Sequence, residues 1–243
     1  MIESIKDHRS IRNYKADPIS EDMLNAILES AQAMPNSING QQTSVIVVRD
    51  QATKSQIAEL AGGQPWIAQA PVFLLFVMDF YKTDLAAKKN GLEQVIHGSV
   101  EGTVVGATDV GLNMAGAMIA AESLGLGAVP IGGIRKNPET MIALLGLPEK
   151  TFPVAGLSIG HPVDRSHKKP RLPMSTFRHD EAYKVEGLNE AINQYDDEMV
   201  VYLESIGREM EGNWSKQTSG VYQQVYFPKV HPVMAEQGFD NNK

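Results

Sequence analysis

The stretch from Gly102 to Leu124 constrains this chain more than any other. It is the longest helical run, and small residues crowd it: Gly106, Ala107, Gly111, Ala115, Gly116, Ala117, Ala120 and Ala121. Such a helix either crosses a membrane or lies where neighbours must approach closely. Asp109 and Asn113 stand in its middle, and an acid at the centre of a span costs roughly 2.5–3.5 kcal/mol to insert. The expectation is a buried central helix whose small residues admit close helix–helix packing, with a subunit interface as one place for it.

A chain of 243 residues can bury a substantial core around such a helix. Its formal charge of −7 argues against a nucleic-acid partner or an anionic membrane, either of which calls for a broad basic face. Cysteine is absent, which excludes disulfides, thiolate nucleophiles and iron–sulfur ligation. Any redox work therefore needs a bound organic cofactor. Polar and charged residues from Glu3 onward leave no signal-peptide core, so a cytoplasmic location is expected.

Apolar periodicity places a helix over Met23, Leu24, Ile27, Leu28 and Ala31, with Ser20 as its N-cap. Pro35 to Gly40 reads as a polar loop. Ser44–Val48, Val72–Val77, Ala128–Ile131 and Val154–Ile159 read as buried strands. Shorter helices are expected over Lys54–Leu60 and Pro138–Leu145, the second with Asn137 as N-cap. Beyond Pro173 the composition turns polar, with helices from about Leu188 to Ile206 and from about Ser215. No repeat or linker interrupts the chain, and a single domain is the simpler count.

Several motifs match in letters only. Gly156-Leu157-Ser158-Ile159-Gly160 spells the nucleophile elbow, but that turn needs a helix directly after the serine, and His161-Pro162 disfavours one. Gly125-Leu126-Gly127 lacks the third glycine of the dinucleotide fingerprint and follows a helix instead of a strand. The phosphate loop of nucleotide hydrolases is missing. The histidines show no metal-ligand spacing, so no metal site is expected, and His97, His161, His179 and His231 read as surface or capping residues.

Two basic clusters stand out in this acidic chain: His8-Arg9-Ser10-Ile11-Arg12 and Lys168-Lys169-Pro170-Arg171. Arginine offers planar, bidentate donors suited to phosphate, and lysine a point charge. They read either as solvated charge or as the grip on a specific anion. Gly132-Gly133, after a strand end, reads either as a tight turn or as backbone that a planar ligand can approach.

In this order the segments resemble the FMN-dependent nitroreductase family, in particular its NAD(P)H-dependent flavin reductase and oxygen-insensitive nitroreductase branch. The likeness rests on His8 to Arg12, Asn36 to Gln42, Gly62-Gly63-Gln64-Pro65, Ala121 to Gly127, Pro130 to Gly133 and Lys169 to Pro173. It implies an α+β fold, a mixed sheet sandwiched by helices. It also implies an intertwined homodimer with one FMN at each subunit junction, a C-terminal extension from about 174 to 243 embracing the partner. By the same likeness Arg9, Ser10, Lys169 and Arg171 would grip the FMN phosphate, with His8 in the same segment. Arg12 and Gln64 would face the pyrimidine edge, and Pro130, Ile131, Gly132 and Gly133 would line the N5 and O4 edge. Asn36, Ser37 and Asn39 would come from the second subunit.

The implied chemistry is ping-pong hydride transfer by way of flavin N5. The donor is NADPH or NADH, and the acceptors are nitroaromatics, quinones, azo compounds or free flavin. The chain itself need supply no catalytic acid. One departure touches the donor: where this branch carries a basic segment before its Trp-Ser pair, here Trp214-Ser215, the chain reads Arg208-Glu209-Met210-Glu211. Arg208 is thus either a contact for the 2′-phosphate of NADPH or an ordinary solvated charge. Two other functions remain open on sequence alone: a non-catalytic FMN-storage dimer, and a serine hydrolase using Ser158.

Overall fold

The run from Val72 to Asp79 is buried at every position, and much of the molecule is layered on it. The computed structural model describes residues 2–243. The chain divides into two compact units, the first comprising residues up to Ser166 together with Phe227–Lys243, the second His167–Tyr226. In the first unit the order is α1 (Ile2–Lys6), α2 (Glu21–Gln32), β1 (Thr43–Val48), α3 (Gln51–Leu60), α4 (Pro65–Gln69) and β2 (Val72–Asp79). It continues through α5 (Tyr81–Lys89), α6 (Val100–Ser123), β3 (Gly127–Ile131), α7 (Pro138–Leu145) and β4 (Thr151–Gly160). The second unit holds α8 (Leu188–Ser205) and α9 (Trp214–Tyr222), and α10 (Val230–Glu236) returns to the first.

The strands form one sheet in the order β1-β2-β4-β3, and all three pairings are antiparallel. The α+β class holds, but within this chain the sheet is not mixed. Uninterrupted apolar runs are the mark of a sheet covered on both faces, which parallel sheets usually are. Here an antiparallel sheet is covered on both faces too, and so the runs carry no direction. Successive β2 side chains go to opposite sides. Val72, Leu74, Phe76 and Met78 join α2 and α6 in one core cluster, while Phe73, Leu75 and Val77 join α3 and α7 in another. Each such side chain, fully buried, stabilises by roughly 1.5–3 kcal/mol.

The small residues of α6 have individual reasons. A Cβ at Gly106 would lie 2.3 Å from the Met78 sulfur, and one at Gly116 would lie 2.6 Å from Met34 Cγ and 2.9 Å from the Ser30 carbonyl oxygen. These glycines let β2 and α2 close on the helix. The helix is long and apolar enough to cross a membrane, yet the two buried polar side chains at its middle, Asp109 and Asn113, are spent inside the protein. Asn113 donates to the Ala31 carbonyl at 2.7 Å, and Asp109 is bonded as described below.

Ser20 caps α2 as expected, its hydroxyl accepting from the Met23 amide at 3.2 Å. Asp50 caps α3, moving that helix start ahead of Lys54. Asn137 does not cap α7 with its side chain; its amide instead donates to the Leu60 carbonyl at 2.9 Å. Of the stretch expected to reach a partner, Phe227–Lys243 lies in the first unit, with Phe239 buried edge-on against Phe80. In the second unit Tyr195, Met199 and Leu203 form a small core backed by Leu172 and Trp214.

Candidate functional site

The segment His8 to Arg12 is extended, and its path is dictated by what flanks it. The Ile11 amide donates to the Ala128 carbonyl at 3.1 Å, tying the segment to β3. The Ile11 side chain fills the space above Gly127, where a Cβ would sit 2.6 Å from it. Tyr14 then locks the far end, its buried hydroxyl donating to the carbonyls of Ile11 at 2.6 Å and Ser158 at 3.1 Å. Burial pushes the Tyr14 phenol well above its ordinary value, with the Arg12 charge opposing. It stays a neutral donor.

Three cationic or potentially cationic groups leave this rail. His8 Nδ1 pairs with the Glu122 carboxylate at the end of α6. Arg9 donates to the Ser166 carbonyl at 3.1 Å and to Asp7 at 3.3 Å, while its buried Nε has no partner. Arg12 lies over the ring of Trp66, its guanidinium carbon 5.5 Å from the ring centroid. Each of the other seven arginines donates to a carboxylate or a backbone carbonyl. Arg12 alone, among the described residues, spends none of its N–H groups. An Arg offers five donors in a fixed fork, so this one is equipped for a ligand.

Trp66 sits in the first turn of α4, next to Pro65 at a helix start that proline suits. Gln64 precedes it as the N-cap residue, and its amide Nε2 donates to the Ala61 carbonyl at 2.9 Å. Gly62 and Gly63, both at positive φ (92° and 78°), end α3 and turn the chain into this helix. Gly133 closes the group from the end of β3. A Cβ there would lie 2.3 Å from Gln64 Nε2 and 2.4 Å from the Ala61 carbonyl oxygen. The conformation at Gly132 is ordinary helical (φ −79°), and a Cβ there would stand 3.3 Å from Arg135. The glycine pair is thus set by close approach more than by turn geometry. Ile131 is buried, and Pro130 is exposed on β3, an edge strand that tolerates its missing N–H.

The loop Asn36 to Gln42 is held from α6. Asp109, buried, accepts from the Ser37 amide at 3.1 Å and from Gln42 Nε2 at 2.6 Å. Asn36 Oδ1 accepts from the Gln41 amide at 3.1 Å. Ile38, Asn39 and Gln41 all take positive φ, and Ile38 is 96% exposed. A β-branched residue in that region is strained, and the loop keeps this shape because Asp109 pins it.

In the second unit, Arg171 folds onto its own backbone, donating to the Lys169 carbonyl at 2.7 Å and the Pro170 carbonyl at 3.2 Å. The Tyr195 hydroxyl donates to Pro170 at 2.9 Å and so fixes the segment to α8. Arg208 donates to the Glu211 carboxylate. Asp196 of α8 accepts from the Ser215 amide at 2.8 Å, setting the start of α9.

The first unit thus brings Arg12, Gln64 and Gly133 around the start of α4, with His8, Arg9 and Ser10 on the adjoining strand-like segment. Lys169, Arg171 and Arg208 belong to the second unit. Trp66, Asp109 and Glu122 are the site residues that the sequence reading passed over. Proline directly before Trp66 signals a helix start, and a lone acid inside an apolar helix signals a buried partner for Asp109. Ser158 is no nucleophile: it is fully buried within β4, which runs on to Gly160, and its hydroxyl has no partner.

The family model described as Nitroreductase family matches residues 5–161, and that for the Nitroreductase family C-terminal domain matches 169–242. The FMN reductase [NAD(P)H] of Bacillus subtilis is 46% identical, over 100% of this chain and 99% of that protein. The structure of Bacillus megaterium NfrA2 superposes with a TM-score of 0.96 at 45% identity, covering 100% of this chain and 98% of that one. The NADPH:FMN oxidoreductase from Vibrio harveyi, solved with NAD+, gives 0.89 at 32% identity over 100% and 99%. The chain belongs to the nitroreductase family.

Proposed function

We propose that this chain is an NAD(P)H-dependent FMN oxidoreductase, acting in the cytoplasm as a single-domain subunit of a homodimer. The observation that carries the reading is the unspent Arg12 guanidinium beside the Gln64–Gly133 junction. The residues present fit FMN. Its phosphate, close to a dianion, needs several charge-assisted donors once desolvated. Arg9 with its unpartnered buried Nε, Ser10 and His8 of the first unit would belong to that donor set. The ring calls for close backbone approach and a cation. Ile131, Gly132 and Gly133 would meet the first need and Arg12 the second, with the neutral Gln64 amide beside it as a further donor.

Bound there, FMN would supply two-electron hydride chemistry between a nicotinamide donor and a nitroaromatic, a quinone or free flavin. The chain's own part is positioning and charge. Arg12 would favour the reduced cofactor, because reduction adds negative charge at the pyrimidine edge. The Asn36–Gln42 loop, held in shape by Asp109, would deliver Asn36, Ser37 and Asn39 to the partner's cofactor. The exposed Phe177, Tyr183 and Val185 of the second unit would be covered by the second copy. Reading the flavin reductase named among the relatives onto this chain, either NADH or NADPH would serve as donor.

The test is optical. Purified protein supplied with FMN should be yellow after desalting and should bleach under anaerobic NADH or NADPH. Yellow protein that neither nicotinamide bleaches would be a storage dimer, and protein that returns colourless would overturn the FMN assignment.

A further inference from the structure

Arg12 extends from a backbone fixed on either side, by the Ile11 amide donating to the Ala128 carbonyl of β3 and by the Tyr14 hydroxyl donating to the Ser158 carbonyl of β4. Trp66, the ring beneath it, is held as firmly. Its helix buries Ile67 completely, its carbonyl accepts from the Ala70 amide at 3.1 Å, and the buried Lys54 ammonium donates to the Ala70 carbonyl at 2.5 Å. Yet the indole Nε1 of Trp66 is buried without a hydrogen-bond partner. A buried indole N–H ordinarily finds one, so the polar end of this side chain does not explain its presence. Its ring packs against the cluster of Ile11, Tyr14 and Ala70, and it also meets the Arg12 cation. Indole is the best of the aromatic rings at attracting a cation, and 5.5 Å is inside the range at which it does so.

We infer that Trp66 is a positioning residue of the flavin site: its indole face holds the Arg12 guanidinium with all its donors free, and the pair sets the reduction potential of the bound flavin. The inference rests on the FMN reading above. A guanidinium that had to be recruited from solvent, or released from a carboxylate, would give part of its interaction back on binding. One already held over an indole at 5.5 Å does neither. The attraction is between the cation and the ring and takes none of the N–H groups of Arg12 away from a ligand acceptor.

The test compares Trp66→Leu, Trp66→Phe, Arg12→Met and the double variant Trp66→Leu/Arg12→Met, reading FMN dissociation constant and midpoint potential. Trp66→Leu should weaken FMN binding roughly fivefold and move the potential in the negative direction, as Arg12→Met does. Trp66→Phe should recover most of both, and the double variant should be no worse than Arg12→Met. A merely structural Trp66 predicts lowered melting temperature with the potential unmoved. That outcome, or full additivity in the double variant, overturns the inference.

A flavin-free measurement covers the case in which Trp66→Leu does not fold. The only other tryptophan is Trp214, so in a Trp214→Phe background the emission reports on Trp66 alone. Arg12→Met should shift that emission in the apoprotein, and an unchanged spectrum overturns the pairing. If the emission shifts while no variant takes up flavin, the FMN reading falls and the link to the potential falls with it.

Discussion

The unit built on the sheet and the unit from His167 to Tyr226 dispose of their apolar residues in opposite ways. The first stacks Phe73, Leu74, Leu75 and Phe76 out of solvent entirely, on both faces of one strand. The second gathers only Tyr195, Met199 and Leu203 into a core, while Phe177 is 85% exposed and Tyr183, Val185, Tyr222 and Val225 lie open as well. A segment of that size with so small a core gains little from burial within itself. The difference teaches where stability and assembly reside: the sheet unit carries its own fold, and the other carries surface that calls for a cover, which the proposed second copy would provide.

The sharpest way to break this comparison is by cavity. Phe76→Ala, at a site with no exposed surface between two helices and the sheet, should cost about 3–5 kcal/mol of unfolding free energy. Leu203→Ala in the small core should cost nearer 2 kcal/mol, and Phe177→Ala under about 0.5 kcal/mol in dilute protein. Denaturant titrations that rank Leu203→Ala with Phe76→Ala would show that the core of the second unit is no weaker than that of the first. A smaller effect tests the site end of the sheet unit. Gly133→Ala puts a methyl 2.4 Å from the Ala61 carbonyl oxygen, and backbone cannot move aside cheaply. The expected loss is about 1–3 kcal/mol, together with at least tenfold weaker FMN binding by fluorescence titration. Unchanged values in both would remove Gly133 from the site.

Acid should also separate the regions. Asp84 of α5 accepts from the ammonium groups of Lys150 and Lys88, each at 2.8 Å. Those two lysines, Lys150 foremost, hold its carboxyl at about 2, below the ordinary 3.8. A carboxyl depressed in the folded state contributes stability above its unfolded value and loses it as pH falls through the folded one. Melting temperature should therefore decline between about pH 4 and pH 2 through this group. Asp84→Asn should be less stable at pH 7 and should flatten that decline. A parallel pH profile in the variant would show that the acid sensitivity arises elsewhere.

How much of this could be read from residues alone follows from the range of the interactions. The four strands were legible because each is a short, mostly apolar run, and α2 because Ser20 and a 3.6-residue stripe mark it. Strand direction was not, since burial on both faces erases the alternation that would betray it. Asp109 was noticed as an obstacle to membrane insertion, but its partners Ser37 and Gln42 lie far away in sequence and no local pattern announces them. Arg12 was in plain view within a basic cluster. That it, unlike Arg9, keeps every donor free depends on where Asp7 and Ser166 fall in space. Trp66 follows Pro65 at a helix start, but no local pattern marks its ring as the neighbour of an arginine far earlier in the chain.

The gentlest prediction concerns the second unit and its Arg208. Arg208 donates to Glu211 three residues on, with Glu209 beside it in sequence, so the one cation before Trp214-Ser215 is already matched by acid. If this segment meets the adenosine end of the nicotinamide cofactor, a 2′-phosphate must displace the Glu211 carboxylate from Arg208, and like charge opposes its arrival. NADH has no such group to place. The chain should then use the two donors within a few-fold of each other, and Glu211→Gln should raise the ratio of kcat/KM for NADPH over NADH about threefold, worth under 1 kcal/mol. Adding Arg208→Ala should cancel that gain. The pair is exposed, so the gain should shrink with added salt. A ratio that Glu211→Gln leaves untouched at low salt would separate this unit from donor recognition.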